Sequence, residues 1–354
     1  MTLHPAGQND VAGEIRRLKK ALGSSVCIVG HHYQTDAVIE HCDRRGDSLE
    51  LARMIPGIEA EHIVFCGVSF MGDSAAILTR PGQHVYLPED DAECVMALMS
   101  PAALVEKIFT KLTASGRKVI PMAYVNTEVA VKAVVGRHGG TVCTSANARK
   151  MLSWAMDQGD AVMFLPDKNL ARNTASEIGI PASDWHMLDI TRRGENVDLD
   201  AAAKARLIIW PGQCSIHARF HTRHVEAARK EAPGCFVVVH PECNPDVVRA
   251  SDMAGSTTAL IKFVREAKPG STVYVGTEAH LVQRLAVEAA SRGVTVKPLF
   301  FSVCTHMAKV TPEKLLRTLQ GIADHTAVPD SVQENEAEEA RASLQSMLDV
   351  MQAQ

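Results

Sequence analysis

Short apolar runs rich in valine and isoleucine recur along the chain, and segments with helical periodicity separate them. The first runs cover residues 25–30, 62–68 and 84–87, and a helical pattern occupies residues 47–55. The pattern returns at 119–125, 141–144, 161–165, 207–210, 235–240, 251–255, 271–275 and 294–301. Buried strands that alternate with helices are typical of parallel sheets with right-handed crossover connections. The chain is therefore predicted to be an α/β protein.

The runs fall into three blocks, and a cysteine follows the last run of each block. The first strand of a block precedes this cysteine by 68, 95 and 68 residues, counted from Val26 to Cys94, from Val119 to Cys214 and from Phe236 to Cys304. The middle block is longer because of a polar stretch over about 178–206, which resembles an insertion. Because functional residues of open α/β sheets gather beyond the carboxyl ends of strands, a threefold arrangement brings the three cysteines to one axis.

We predict unit boundaries at residues 1–112, 113–230 and 231–310, followed by C-terminal helices over 311–354. The first of these helices should begin with Thr311 as its N-cap and Pro312 at its first position. A second helix is expected over 331–351. Its apolar side should pack on the body of the protein or on a second subunit.

The composition is that of a soluble globular protein. Of the 354 residues, 46% are hydrophobic and 22% are charged, and the formal net charge is −4, which excludes collagen-like, disordered and coiled-coil classes. This slightly acidic balance argues against nucleic-acid binding. The longest stretch without charged residues, 21–35, is too short and too polar for a membrane span, and the first 20 residues lack the apolar core of a signal peptide. A cytoplasmic location is expected.

The nine cysteines are odd in number and include no CxxC pair, so neither a disulfide framework nor a zinc ribbon is predicted. Three thiolates from separate units would leave one iron of a [4Fe-4S] cluster without a cysteine, since such clusters normally take four. That iron would be free to act as a Lewis acid. Spacing alone leaves open that Cys94, Cys214 and Cys304 are ordinary core residues, as expected for the other six.

Polar motifs stand at equivalent places in the three blocks. HHYQ at 31–34, YVNT at 124–127 and HPEC at 240–243 each follow a first strand. TSAN at 144–147 and GSTT at 255–258 stand where second strands lead into helices. Small hydroxyl residues at a helix N-terminus suit a carboxylate or a phosphate, although each taken alone is more often a plain helix cap.

Taken in order, these motifs resemble the signature of the quinolinate synthase family. The motifs are HHYQ, GDSLELAR, YVNT, CTSANA, FLPDKNL, WPGQCSIH, HPEC and GSTTALI, and they span about residues 25–320. The resemblance implies three pseudo-symmetric three-layer α/β/α units with short parallel sheets around a central active site, and one [4Fe-4S] cluster per chain. It implies a transferase of NAD biosynthesis that condenses iminoaspartate with dihydroxyacetone phosphate to quinolinate, phosphate and water.

The resemblance also implies roles for individual residues. The implied cluster ligands are Cys94, Cys214 and Cys304. The implied catalytic residues are Glu242, His240, Tyr124 and Tyr33. The residues implied to bind substrate are His31, Ser48, Tyr124, Asn126, Ser145, His217, His240, Glu242, Ser256 and Thr257. No GxGxxG fingerprint follows any predicted first strand, so no nicotinamide site is expected. An L-aspartate oxidase or dehydrogenase is the expected functional partner, and neither nucleic acid nor membrane is.

The chain departs from the family pattern at three places. Ser69, Gly72 and Asp73 stand where a His or Asp and an Ala-Glu pair are expected, and Ala171 replaces a usual glycine. The 178–206 stretch is the third departure. The first two should affect packing around the site more than activity, and the insertion should reshape a surface or an oligomer contact.

Two other interpretations remain open at this stage. Diphthamide synthase has a three-unit fold with one cysteine per unit but performs radical chemistry on a protein histidine. The YVNT, TSAN, HPEC and GST motifs disfavour it because they suit a small dicarboxylate pocket. A non-enzymatic iron–sulfur sensor or electron carrier would not need this polar set.

Overall fold

The computed structural model describes residues 10–352, so the outer ends of the predicted first and last segments lie outside the described residues. The first unit has the order β2-β1-β3-β4 in its sheet. Its elements are α1 (Val11–Leu22), β1 (Val26–His31), α2 (Asp36–Ile39), β2 (Arg44–Gly46), α3 (Ser48–Met54), β3 (His62–Cys66), α4 (Ser69–Leu78), β4 (His84–Tyr86) and α5 (Ala102–Thr113). All pairings in this sheet are parallel.

The second unit repeats this arrangement with one more strand. Its elements are β5 (Val119–Tyr124), α6 (Val129–Arg137), β6 (Thr141–Cys143), α7 (Ala148–Gln158), β7 (Ala161–Leu165), α8 (Lys168–Glu177), β8 (Trp185–Met187), α9 (Thr191–Gly194), α10 (Leu199–Lys204), β9 (Leu207–Ile209) and α11 (Thr222–Glu231). The strand order is β6-β5-β7-β9-β8, again parallel. The predicted insertion therefore supplies β8, which extends the sheet at its edge, and two short helices.

The third unit has the same order as the first, β11-β10-β12-β13, with parallel pairings. Its elements, with the two C-terminal helices, are β10 (Phe236–Val239), α12 (Pro245–Ala250), β11 (Met253–Ala254), α13 (Thr257–Glu266), β12 (Thr272–Gly276), α14 (Ala279–Ala290), β13 (Thr295–Pro298), α15 (Pro312–Ala323) and α16 (Glu334–Gln352). Three short parallel sheets flanked by helices confirm the predicted fold class. Their central strands are buried on both faces, as parallel sheets require.

The same backbone turn follows the last strand of each unit. A 3-10 turn begins three residues after each cysteine, at Ala97–Met99, His217–Arg219 and Met307–Lys309. A helix then begins eight residues after each cysteine, with α5, α11 and α15. The residue four positions after the cysteine donates its N–H to the cysteine carbonyl in all three, at 3.4, 3.0 and 3.0 Å. The threefold spacing seen in the sequence is therefore a repeated local structure.

The C-terminal helices pack on the first two units. Thr311 caps α15 by accepting the Lys314 N–H, and Pro312 is its first residue, as predicted. Helix α16 lies against α6, begins at Glu334 rather than at residue 331, and buries the side chains of Leu344, Met347 and Leu348. Its apolar side therefore packs on the body of the chain.

Some elements were not predicted. Strand β2 was missed because two of its three residues are exposed arginines, which give no buried-strand signal. The run at 251–255 forms only the two-residue strand β11. Among residues 10–352, no helix is long and apolar enough to cross a membrane.

Candidate active site

One cavity lies where the three units meet, and residues from the carboxyl ends of strands in every unit line it. The centre of a water molecule can occupy about 80 Å³ of this cavity. Its lining includes His31 at the end of β1, Tyr124 at the end of β5, and His240 just after β10. Parallel strands present their carboxyl ends at one edge of a sheet, which explains how residues so distant in sequence converge here.

The cavity collects nearly all of the residues predicted for the site. The predicted residues in its lining are His31, Tyr33, Ser48, Cys94, Tyr124, Asn126, Ser145, Cys214, His217, His240, Glu242, Thr257 and Cys304. Ser256 is the exception, because it lines a neighbouring cavity instead. Its hydroxyl accepts the Ala259 N–H and so caps α13.

Glu242 is buried between two histidines. Its Oε2 lies 2.8 Å from Nδ1 of His217 and 3.0 Å from Nδ1 of His240. The two imidazoles stack with ring centroids 4.3 Å apart. Nδ1 of His217 makes no hydrogen bond among the described residues, so this contact is a close approach only. The other oxygen, Oε1, has no hydrogen-bond partner among the described residues and is the unused acceptor of this group.

The histidine neighbours decide the ionisation of Glu242. Burial raises the pKa of this carboxyl, but His217 and His240 outweigh burial and hold the pKa below its ordinary value. Burial, followed by His217, lowers the pKa of His240. Near pH 7 Glu242 is therefore ionised beside a neutral His240, whose Nδ1 accepts the main-chain N–H of Glu242 at 3.4 Å.

Hydroxyl groups connect Tyr33 to His217, one of the two histidines beside Glu242. The Tyr33 hydroxyl lies 2.8 Å from Oγ1 of Thr277 and accepts a 3.1 Å hydrogen bond from Oγ1 of Thr257. Oγ1 of Thr277 is in turn 3.1 Å from Nε2 of His217. Burial raises the pKa of Tyr33, and burial together with Glu242 raises that of Tyr124. Both phenols therefore stay protonated near neutral pH.

His31 is a neutral hydrogen-bond donor. Burial, then the charge of His32, lowers the pKa of His31 to about 3. Its Nδ1 accepts the N–H of Tyr33 at 3.2 Å, so the proton of the neutral ring is on Nε2. A buried neutral imidazole of this kind can donate one hydrogen bond to an anionic ligand.

Cys94, Cys214 and Cys304 differ from the other six cysteines. They line the cavity and are partly exposed, whereas the remaining six are buried. Burial raises the pKa of each thiol, to about 12 for Cys94. Main-chain N–H groups of the following 3-10 turns face the three sulfurs and act in the opposite direction. A metal centre would deprotonate such thiols on binding.

The donor set fits a cluster better than a single ion. Among the described residues, only Cys214, His217 and Glu242 place ligand atoms within 4.8 Å of one another. The three cysteine sulfurs do not meet this condition as a set, so one ion cannot collect them. In an iron–sulfur cluster each thiolate binds its own iron, which suits three thiols that share a cavity without touching a common point.

The chain matches the family model described as Quinolinate synthetase A protein over residues 13–349. It is 40% identical to the quinolinate synthase of Geobacillus thermodenitrificans, covering 96% of this chain and 94% of that protein. It is 41% identical to the quinolinate synthase of Streptomyces coelicolor, covering 96% of this chain and 88% of that protein.

The chain belongs to the quinolinate synthetase A family of enzymes. Among solved structures, the match to a putative formate dehydrogenase of Pyrobaculum aerophilum has a TM-score of 0.20 at 12% identity, too low to bear on the fold.

In this member of the quinolinate synthetase A family, the departures at 69–73 lie beside the central cavity. Ser69 and Asp73 line a second cavity, of about 400 Å³, which shares Phe70 and Cys94 with the first. Asp73 faces the fully buried Lys132, whose ammonium donates to the Thr127 carbonyl. Ala171 is buried, so a residue larger than the family glycine is accommodated there.

Two residues in or next to the cavity lining were not predicted from the sequence. Thr277 connects Tyr33 and His217, and Asp47 accepts the Thr258 hydroxyl at 2.9 Å while capping α3. A lone threonine after a strand forms no sequence pattern that would indicate a functional role. Asp47, however, belongs to the GDS motif and forms a capping box with Glu50, so its position at a helix start was readable.

Proposed function

We propose that this chain makes quinolinate from iminoaspartate and dihydroxyacetone phosphate, releasing phosphate and water, in NAD biosynthesis. One observation carries the proposal. Three separate thiols and the His217–Glu242–His240 group line the same cavity in a chain of the quinolinate synthetase A family.

Cys94, Cys214 and Cys304 are proposed to hold one [4Fe-4S] cluster per chain. The fit of these thiols to a cluster supports this assignment. When bound, the cluster would supply a Lewis-acid iron that has no cysteine ligand. Substrate binding and proton transfer are assigned to the side chains around the cluster.

Polar side chains from all three units are proposed to bind the substrates. His31 offers a hydrogen bond from Nε2, and the hydroxyls of Ser48 and Ser145 offer further donors to carboxylate or phosphate oxygens. Thr257 also lines the cavity, and its hydroxyl donates to Tyr33. Asn126 also lines the cavity, and its buried amide oxygen has no partner among the described residues. Ser256, which caps α13, would act only through the position of its neighbour Thr257.

Proton transfers are assigned to Glu242, His240, Tyr124 and Tyr33. Oε1 of Glu242 is an ionised acceptor without a partner, so it is the proposed site that takes a proton from a substrate carbon. A proton received by His240 would be stabilised by the Glu242 carboxylate at 3.0 Å. Tyr33 and Tyr124 stay protonated and are proposed as donors to leaving oxygen atoms. His217 orients Glu242.

An L-aspartate oxidase or dehydrogenase is the proposed source of iminoaspartate. A cytoplasmic location belongs to the same proposal. It is supported by the nine free thiols, which suit a reducing compartment.

The test is a quinolinate assay on anaerobically prepared protein. About four irons per chain and quinolinate formation from the two substrates are expected. Cys94→Ala, Cys214→Ala and Cys304→Ala should each lose the cluster. Cys27→Ala, Cys66→Ala and Cys235→Ala are matched controls that should retain it, because these thiols are buried away from the cavity. An intact cluster without quinolinate formation would instead favour an electron carrier or a radical enzyme of the diphthamide-synthase kind.

A further inference from the structure

Two buried carboxylates occupy equivalent positions after the third strands of the second and third units. Asp167 is the N-cap of α8, two residues beyond β7, and Glu278 is the N-cap of α14, two residues beyond β12. Both side chains are fully buried. The proton transfers assigned above use neither of them.

A repeated backbone contact brings this N-cap position to the cysteine. The residue after the N-cap donates its N–H to the carbonyl two residues before the cysteine in every unit. The three contacts, each 2.9 Å long, are Ser69 to Ala92, Lys168 to Gly212 and Ala279 to Ser302. The N-cap side chain is thereby placed beside the main chain of the cysteine in all three units.

In two units the N-cap carboxylate accepts the N–H of the cysteine itself. Oδ2 of Asp167 accepts the Cys214 N–H at 2.9 Å, while Oδ1 accepts the Leu170 N–H and caps the helix. Oε1 of Glu278 accepts the Cys304 N–H at 3.3 Å, while Oε2 accepts N–H groups at the start of α14. In the first unit the N-cap is Val68, whose side chain cannot accept a hydrogen bond.

A helix cap needs only one acceptor oxygen, and an exposed serine or aspartate supplies it without difficulty. Burying a carboxyl group for that purpose alone is unfavourable. The second oxygen of Asp167 accepts the peptide N–H of Cys214, and that of Glu278 accepts the peptide N–H of Cys304 and also lies 2.9 Å from Nδ1 of His280. That choice requires an explanation other than the stability of the helix.

We propose that Asp167 and Glu278 are positioning residues that fix the main chain of Cys214 and Cys304 for metal binding. Each side chain links its cysteine, through hydrogen bonds, to the start of the helix that follows the third strand of the same unit. The backbone of each cysteine is then already ordered before the cluster binds, so binding costs less conformational entropy. The inference rests on the proposed cluster assignment and adds two residues outside the ligand set to it.

Asp167→Asn and Glu278→Gln test the inference with little change in shape. Asparagine is as good an N-cap as aspartate, so its carbonyl keeps the Leu170 contact. Its amide group then presents a donor to the N–H of Cys214, and the contact is lost. Asp198→Asn is the matched control, because Asp198 caps α10 through the Ala201 N–H, is exposed and has no cysteine contact.

Two quantities are measured on each variant and on the unmodified chain. The first is the rate of iron release from the anaerobic cluster-loaded protein to a ferrous-iron chelator. The second is the thermal midpoint of the metal-free protein. Loss of an outer contact to a metal ligand typically weakens metal binding by about 10–100-fold. Asp167→Asn and Glu278→Gln should release iron faster by about this factor, with the metal-free midpoint unchanged, and Asp198→Asn should change neither.

Three outcomes would overturn the inference. If both variants release iron at the rate of the unmodified chain, this inference is overturned but the cluster assignment is not. A metal-free midpoint that falls in step with iron retention would show that the carboxylates support the fold rather than the cysteines. An unmodified chain without iron would overturn the cluster assignment and the inference together.

Discussion

Glu242 illustrates how this site sets the properties of one side chain through its neighbours. A carboxyl buried in an apolar cavity would hold its proton near neutral pH. Two imidazoles against Oε2 reverse that tendency and leave Oε1 as an ionised acceptor without a partner among the described residues. The same contacts keep the carboxylate from rotating, so its free oxygen has a defined direction in the cavity.

The amide variant Glu242→Gln tests this role directly. The change keeps the shape of the side chain but removes the basic oxygen, so quinolinate formation should fall by about 10²–10⁴-fold. Iron content should not change. Glu266→Gln, an exposed residue of α13, is the control and should retain full turnover. Unaltered turnover in Glu242→Gln would remove this residue from the proton transfers.

The residues that the sequence revealed are those that belong to recurring motifs. HHYQ, YVNT and HPEC follow first strands, and their equivalence was visible from spacing before any contact was known. Thr277 could not be found in this way, because its importance comes from two partners more than fifty residues away. The role of Ser256 stays a prediction, since a hydroxyl at a helix start looks the same whether it binds a ligand or caps the helix.

At the scale of elements, the packing of α16 on α6 depends on one glycine. A Cβ atom on Gly136 would lie 1.9 Å from the carbonyl oxygen of Glu339, so the two backbones approach too closely for any other residue. Arg137 strengthens the contact through a pair of hydrogen bonds, 2.9 and 2.7 Å long, to the Glu339 carboxylate. The close packing of these two helices therefore holds the C-terminal segment against the second unit.

Gly136→Ala should destabilise the protein even though alanine favours helices. Helix propensity alone predicts a gain of about 1 kcal/mol, and overpacking typically costs about 1–3 kcal/mol. We expect a net loss in the free energy of unfolding, measured by urea denaturation. Gly57→Ala is the control, because no atom lies within 4 Å of its Cβ position. Equal stability of the two variants would mean that α16 moves aside without cost.

Hydrophobic periodicity predicted the central strands of the sheets better than the edge strands. Central strands are continuous apolar runs, and their burial on both faces makes them readable. Edge strands such as β2 and β11 are short and partly exposed, so tertiary pairing rather than local sequence decides where they form. The 178–206 stretch contains β8, and nothing in its polar sequence indicated that this strand would extend the sheet.

Across the whole molecule, the second cavity makes stability depend on pH. Burial, and then Asp330, raises the pKa of Asp73 to about 7. Since the unfolded carboxyl titrates near 4, the folded state binds this proton more tightly. The contribution of Asp73 to stability is therefore full below about pH 4 and is lost as the pH rises through 7.

Asp73→Asn removes this dependence, because the amide does not titrate. Relative to the variant, the unmodified protein should lose up to about 4 kcal/mol of unfolding free energy between pH 4 and pH 7.5. Urea denaturation at both pH values measures the difference. The exposed Asp157→Asn should show no such trend. A difference between Asp73→Asn and the unmodified chain that is constant with pH would contradict the assignment.

The distribution of the three cysteines over three units also has a consequence for the order of events during synthesis. Cys94 and Cys304 are separated by 210 residues. At about 5–20 residues per second, the first leaves the peptidyl-transferase centre roughly 10–40 s before the last. During that interval the first two thiols exist without the third unit that completes their cavity. On the proposed cluster assignment, the full set of three ligands exists only when translation is nearly finished, and the first two thiols would be open to oxidation until then.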